Sequence, residues 1–142
     1  MYINFDNVKA AKEKLAGHII RTPLVKASRL SLHLGIDLHL KLENLQQTSA
    51  FKARGALNKL LTLTPEERKA GVIACSAGNH AQGLAYHAQQ LGIPAVIVMP
   101  RGTPFNKIKK TEDFGAKVVL HGNQFDESVG ETMRLAEENG YV

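Results

Sequence analysis

The stretch from Val72 to Leu91 reads VIACSAGNHAQGLAYHAQQL, and it decides the fold. Its first four residues are a short apolar run of the kind found in buried β-strands. A turn of small residues follows, and helical spacing then runs from Asn79 to Leu91, with Gly92 where a helix commonly ends. The stretch therefore predicts a strand, a tight turn and a helix, the repeating unit of a parallel α/β sheet.

The same unit recurs towards the C-terminal end of the chain. The further strands and helices are predicted at Ala95–Met99, Pro104–Phe114, Lys117–Leu120 and Asp126–Glu138, with Gly115 and Gly140 at helix ends. Tyr141 and Val142 read as the start of a fourth strand at the same interval, which suggests a piece of a longer protein. We expect an α/β fold of three layers, a parallel sheet with helices on both faces and right-handed crossovers.

The first 71 residues carry weaker patterns. They predict a helix capped by Asp6 and stopped at Gly17, an extended Thr22–Val25, a helix from Ser28 to Gly35, and a short helix from Thr64 to Gly71. Ile36–Glu43 alternates apolar and polar residues, which predicts a half-buried strand. Asn44–Ala50 is polar and reads as a loop before a further helix begins at Phe51.

Composition narrows the class of protein. The chain has 142 residues, is 44% hydrophobic and 22% charged, and suits one soluble globular domain. With a single cysteine, Cys75, the chain has no intrachain disulfide, which favours a reducing compartment. It has no apolar run of ~20 residues and no secretory signal. These features predict a cytoplasmic protein that does not span a membrane. The net charge of +5 is scattered along the chain, which disfavours a nucleic-acid surface but suits anionic small molecules. The histidines lack metal-ligand spacing, so no metal site is predicted.

Lys52 lies in the segment TSAFKARGA, residues 48–56, at a junction between loop and helix. A nucleophilic lysine needs an apolar shield and neighbouring positive charge, which favour its neutral amine. Phe51 and Arg54 are placed to supply these, and the start of a helix acts in the same sense. The residues alone leave open whether Lys52 is a reactive amine or an ordinary surface lysine.

A second group of residues, SAGNHAQG at 76–83, opens the helix that follows the first buried strand. Backbone N–H groups of such a turn converge at the positive end of the helix, which predicts a site for a carboxylate or phosphate. The spacing matches neither G-x-G-x-x-G nor a P-loop, so a dinucleotide or NTPase site is not predicted. Simple helix capping with no ligand is the alternative for Asn79 and His80.

Taken together, these blocks resemble a known family. The segments KLEN at 41–44, FKARGA at 51–56, SAGNHAQG at 76–83, Met99-Pro100 and PFNK at 104–107 resemble the threonine dehydratases. Those enzymes belong to the tryptophan-synthase-β group, the fold-type II pyridoxal-phosphate enzymes, and the resemblance runs from about Thr22 to the end of the chain.

The resemblance assigns roles to individual residues. Lys52 would carry pyridoxal 5'-phosphate and move the substrate's Cα proton, Phe51 would lie beside the cofactor ring, and Asn79 would meet the cofactor 3-hydroxyl. The loop that receives the substrate carboxylate would comprise Ser76, Ala77, Gly78, Asn79 and His80. The implied reaction is β-elimination, which converts L-threonine to 2-oxobutanoate and ammonia and L-serine to pyruvate, in a homo-oligomer.

The chain departs from the family pattern in two ways. The family usually has serine directly before the Phe-Lys pair, whereas this chain has Ala50, with Ser49 one position earlier. The family's glycine-rich phosphate loop and its partner for the pyridine nitrogen have no counterpart in the 142 residues. We therefore expect residues 1–49 to belong to a larger, incomplete cofactor domain and residues 50–142 to form a small α/β domain. Serine racemase, and a non-catalytic domain that binds a carboxylate or only folds, remain alternative interpretations.

Overall fold

The computed structural model of the protein describes residues 2–142. Its elements in chain order are α1 Phe5–Leu15, β1 Leu24–Lys26, α2 Ser28–Leu34, β2 His39–Lys41, a 3₁₀ turn Glu43–Leu45, α3 Lys52–Leu60, α4 Pro65–Ala70, β3 Val72–Cys75, α5 Asn79–Gln90, β4 Ala95–Met99, α6 Phe105–Asp113, β5 Lys117–Leu120 and α7 Phe125–Asn139.

A parallel sheet in the order β3-β4-β5 forms the centre of the C-terminal part. The bounds of its three strands agree with the sequence prediction, and Val72 lies opposite Ala95 while Val96 lies opposite Lys117. Every residue of β4 is buried, as expected for the central strand. Val142 pairs along the outer side of β3, where its N–H donates to Gly71 O and its carbonyl accepts from Ile73 N, both at 3.0 Å.

Helices cover this sheet. α5 packs against β4, α3 and α6, whereas α7 packs against β3 and β4. Because crossovers between parallel strands are right-handed, α5 and α6 lie on one face of the sheet and α7 on the other. The core between α3, α5 and the sheet consists largely of small and aliphatic side chains, among them Ala56, Leu60, Ala81, Leu84, Ala85, Ala88, Ile97 and Met99.

The N-terminal elements correct two details of the sequence prediction. Asn4, not Asp6, caps α1, because its side-chain Oδ1 accepts from Asn7 N. Asn4 N in turn donates to Asn7 Oδ1. The predicted half-buried strand Ile36–Glu43 is wrong in length and burial. Only β2 forms, as an exposed antiparallel partner of β1, because β1 is the main element that packs against it among the described residues.

Apolar side chains remain uncovered in this N-terminal part. The largest exposed ones up to residue 45 are Tyr2, Ile3, Phe5, Val8, Leu24, Leu30, Leu32, Leu34, Ile36 and Leu45. In contrast, the strands of the parallel sheet and α5 contribute most of the buried core. Within residues 2–142 no helix is both long and apolar enough to cross a lipid bilayer.

Candidate active site

The loop between β3 and α5 lies at the carboxyl end of the sheet, where open α/β sheets bind ligands. The Ser76 hydroxyl oxygen accepts from Gly78 N and Ala81 N, both at 3.3 Å, and so caps the first turn of α5 from within the loop. The N–H groups of Ala77, Asn79 and His80 make no hydrogen bond to any other group of residues 2–142. Three donors therefore stay available for an anion at the positive end of the helix.

Lys52 is the first residue of α3, and tight helix packing brings it to this loop. A Cβ atom added to Gly83 would lie 3.1 Å from Ala53 N and 3.2 Å from the Lys52 carbonyl carbon. Because Gly83 has no side chain, the backbones of α3 and α5 approach more closely here than a Cβ atom would allow. The backbone of Lys52 and Ala53 therefore lies next to Gly83, one turn into α5.

The pKa of His80 also indicates that Lys52 lies nearby. Burial lowers the pKa of the half-buried His80 imidazole from its usual range, and the nearby Lys52 charge lowers it further. Both causes favour the neutral ring. Asn79, one position earlier, is exposed and its amide makes no hydrogen bond within the described residues, so the amide is free to meet a ligand.

The surroundings of Lys52 differ from the shield that the sequence predicts. Lys52 and Phe51 are both exposed, Phe51 by 61%, and the Lys52 Nζ lies 5.4 Å from the centroid of the Phe51 ring. A ring face attracts the protonated ammonium, the opposite of the expected effect. Arg54 does not act as a free neighbouring cation either, because its guanidinium is paired.

The partner of Arg54 is Glu43, a residue for which the sequence indicated no role. Arg54 Nε donates to Glu43 Oε2 at 2.8 Å and Arg54 Nη2 donates to Glu43 Oε1 at 2.7 Å. The Thr22 hydroxyl also donates to Glu43 Oε1, at 2.5 Å. These bonds, those from Arg54 first, outweigh burial and hold the pKa of Glu43 at about 2. Eleven residues separate the two partners, so no local spacing could reveal the pair.

The loop before Lys52 is fixed by a second set of contacts. The Gln46 amide donates to Ile20 O and accepts from Ile20 N, both at 2.9 Å, which mimics a strand pair. Ser49 then adopts φ 57°, a left-handed conformation that non-glycine residues rarely take. Ala50 is buried whereas Ser49 is exposed, so the serine hydroxyl does not take the place of the one that the family has at position 50.

Two other features lie apart from the Ser76–His80 loop. A groove of about 710 Å³ runs between α1 and α3, with Lys12, Arg21 and Lys41 among its lining residues, and it includes neither Lys52 nor the loop. Cys75, at the end of β3, is partly buried, and this burial raises the pKa of its thiol, which disfavours a nucleophilic thiolate. No cluster of His, Cys, Asp and Glu suited to a metal ion occurs in the part of the chain that the structure describes.

Comparison with known proteins gives a consistent set of relatives. Residues 15–142 match the family model described as pyridoxal-phosphate dependent enzyme. The chain is 51% identical over 140 residues to the L-threonine ammonia-lyase of Thermotoga maritima and 41% identical over 140 residues to the catabolic L-threonine dehydratase of Escherichia coli. In both cases 99% of this chain is covered, but only 35% and 43% of the relative.

Solved structures agree with this result. Maize serine racemase superposes with a TM-score of 0.93 at 32% identity, covering 100% of this chain and 43% of that one. Threonine deaminase isoform 2 from Solanum lycopersicum superposes with a TM-score of 0.85 at 40% identity, covering 98% of this chain and 40% of that one. The chain thus spans well under half the length of the relatives that it matches.

Proposed function

Because the chain belongs to the pyridoxal-phosphate-dependent enzyme family, we propose that it supplies the reactive lysine and the carboxylate loop of a threonine/serine dehydratase. The observation that supports the proposal is the close approach of the Lys52–Ala53 backbone to Gly83, one turn into α5, together with the electrostatic effect of Lys52 on His80 and the unpartnered N–H groups at the start of that helix. An amine and an anion site next to each other are what an amino-acid substrate and an aldehyde cofactor require. The relatives act on threonine according to their names, which supports threonine as the substrate.

The residues present could bind the aldehyde, the ring and the 3-hydroxyl of pyridoxal 5'-phosphate, but not its phosphate or its pyridine nitrogen. Lys52 would bind it covalently, Phe51 would lie beside its ring and the Asn79 amide would meet its 3-hydroxyl. When bound, the cofactor supplies an electron sink for the bond broken at Cα. The phosphate and the pyridine nitrogen have no assigned partner in the 142 residues, so the remaining contacts would come from elsewhere.

The chain's own residues would then act as follows. The N–H groups of Ala77, Asn79 and His80 bind the substrate carboxylate at the positive end of α5 and so orient the amino acid. The Lys52 amine would take the proton from Cα, a Cα–Cβ double bond would form, and the β-hydroxyl would take up a proton and leave as water. The released enamine would tautomerise to an imine, which one water hydrolyses to the oxo acid and ammonia. His80, held neutral by burial and by Lys52, adds no second cation at this position. The net products are 2-oxobutanoate and ammonia from threonine, or pyruvate and ammonia from serine.

The experiment that tests this is reductive trapping. The protein is mixed with pyridoxal 5'-phosphate and reduced with borohydride, and the modified lysines are located by peptide mass. We expect the adduct on Lys52, little on Lys59 of the same helix, and none at position 52 in a Lys52→Ala variant. Equal labelling of Lys52 and Lys59 would refute Lys52 as the cofactor lysine. Release of 2-oxobutanoate from L-threonine is measured separately, because trapping does not require catalysis.

Serine racemase is the second candidate, favoured by the TM-score of 0.93 to the maize enzyme. A dehydratase releases pyruvate from L-serine, whereas a racemase yields D-serine, and chiral chromatography separates the two outcomes. A protein that neither traps the cofactor at Lys52 nor forms either product would instead be the non-catalytic alternative.

We also propose the division of the chain that the resemblance implies, with residues 1–49 as part of a larger cofactor domain and residues 50–142 as a small domain. The exposed apolar side chains up to residue 45 support it, since such a surface is what a domain leaves when its packing partners are missing. A homo-oligomer is expected only of a longer form of the protein.

A further inference from the structure

The start of α3 is not held by its own cap. Phe51 stands at the N-cap position, and no side chain of residues 2–142 makes a capping bond there. Helix starts usually depend on such a bond to satisfy their first N–H groups. The position of Lys52, the first residue of α3, must therefore be set by contacts between the first turn of α3 and other segments of the chain.

Two such contacts flank Lys52. On one side Ala53 packs against Gly83 of α5. On another, Arg54 reaches Glu43 through two parallel N–H donors, an arrangement that fixes direction as well as distance. Both side chains are largely shielded, with exposures of 32% for Arg54 and 15% for Glu43, so solvent weakens the pair less than it weakens an exposed one.

Glu43 is itself anchored to the N-terminal segment. The Thr22 hydroxyl donates to it, Lys41 Nζ donates to Thr22 O, and Arg54 Nη2 lies 3.4 Å from Ile20 O. With Gln46 bonded to Ile20, the segments at residues 20–22 and 41–46 are joined to the first turn of α3. The pKa of Glu43 at about 2 keeps the carboxylate ionised at the pH of any assay.

We propose that Glu43 is a positioning residue for Lys52: acting through Arg54, it holds the first turn of α3 so that the Lys52 amine faces the Ser76–His80 loop. This inference rests on the proposed function, because it matters only if Lys52 is the reacting amine. Glu43 does not touch cofactor or substrate in this role. Its effect is on the geometry of attack, and small displacements of a reacting group are costly in rate.

The test uses the trapping reaction as a function of pH. The rates of adduct formation at Lys52 and Lys59 are compared in the wild type and in Glu43→Gln, with Asp37→Asn as the matched control. Like Glu43, Asp37 pairs with a basic side chain, that of Lys26 in β1, but both side chains of this pair are more than half exposed. We expect Glu43→Gln to lower the high-pH plateau of the Lys52/Lys59 ratio roughly tenfold or more. Asp37→Asn should leave the ratio unchanged.

The pH profile separates positioning from other roles. A lost positioning contact lowers the plateau, where every amine is neutral, whereas a purely electrostatic role shifts the midpoint and leaves the plateau. A general loss of structure changes Lys59 as well. Arg54→Lys keeps the positive charge but loses the two parallel donors, so its Lys52/Lys59 ratio should lie between those of the wild type and Glu43→Gln. If Glu43→Gln does not fold, Arg54→Lys is measured in its place.

The outcomes distinguish the two proposals. A wild type without preference for Lys52 overturns the cofactor lysine and this inference with it. A wild type that prefers Lys52, with the same plateau ratio in Glu43→Gln and Arg54→Lys, overturns the positioning role alone. A shifted midpoint with an unchanged plateau does so too.

Discussion

At the scale of single residues, the loop before Lys52 carries the chain's local strain. Ser49 has φ 57°, and it is the only non-glycine residue with positive φ among residues 2–142. The left-handed region costs an L-residue about 1–2 kcal/mol, and only glycine adopts it freely. Its neighbours Thr48 and Ala50 are buried, so the strain is imposed by the packing on either side.

We therefore expect Ser49→Gly to stabilise the protein. Relief of strain should exceed the extra entropy of glycine in the unfolded chain and leave a gain of about 0.5–1 kcal/mol. Urea unfolding measures the change. Ser49→Ala keeps the strain and serves as the control, and a glycine variant no more stable than the alanine variant would contradict the argument.

His87 is the second residue with a measurable consequence. It is 2% exposed, its Nε2 atom has no hydrogen-bond partner within the described residues, and burial, with a smaller effect of His18, lowers its pKa to about 4. The folded state therefore binds fewer protons than the unfolded state between pH 4 and 6.5. The neutral His87 ring therefore contributes to the free energy of unfolding. This contribution is fully present above pH 6.5 and is lost as the pH falls from 6.5 to 4.

His87→Gln should remove this pH dependence. The loss in the wild type is at most about 3 kcal/mol, because one pKa unit corresponds to about 1.4 kcal/mol. The slope of unfolding free energy against pH from 6.5 to 4 is the measured quantity. Removal of the exposed His33 in His33→Gln should leave the slope intact, and an unchanged slope in His87→Gln would refute the assignment.

At the scale of elements, the packing of α3 on α5 decides where Lys52 lies. Gly83→Ala would place a Cβ 3.1–3.3 Å from the backbone of Lys52 and Ala53, and backbone atoms cannot move aside cheaply. We expect a loss of about 1–3 kcal/mol from overpacking, with weaker trapping at Lys52.

Gly130→Ala is the matched control for this change. Gly130 is also inside a helix, but an added Cβ would meet nothing within 4 Å. Helix propensity then favours alanine by about 0.8–1 kcal/mol, so this variant should be more stable than the wild type. Opposite signs for the two variants in urea unfolding would confirm the close approach, and equal signs would contradict it.

The same scale shows what a sequence can reveal. β4 is buried throughout, whereas β3 and β5 are only partly buried, yet each contains a short apolar run that indicates where the strand lies. The alternation at Ile36–Glu43 is equally clear, yet only the three exposed residues His39–Lys41 form a strand. The sequence predicts roles for Lys52 and the Ser76–His80 loop because each lies in one continuous motif. It does not predict the Glu43–Arg54 pair, because that pair forms only when distant segments meet.

At the scale of the whole molecule, burial divides the chain unevenly. The sheet, α3 and α5 share one core, whereas residues 2–42 supply none of its buried residues, and only Leu15 and Thr22 of that segment are buried. Local stability follows buried apolar contact, and amides outside the core open without global unfolding. Hydrogen exchange should therefore be fast across residues 2–42 and slow in β3, β4 and α5. Ile20, bonded through Gln46, should be the slowest amide of the N-terminal segment. Equal protection of both parts, measured amide by amide, would mean that the N-terminal segment is complete as it stands, and the proposed division at residue 49 would fail.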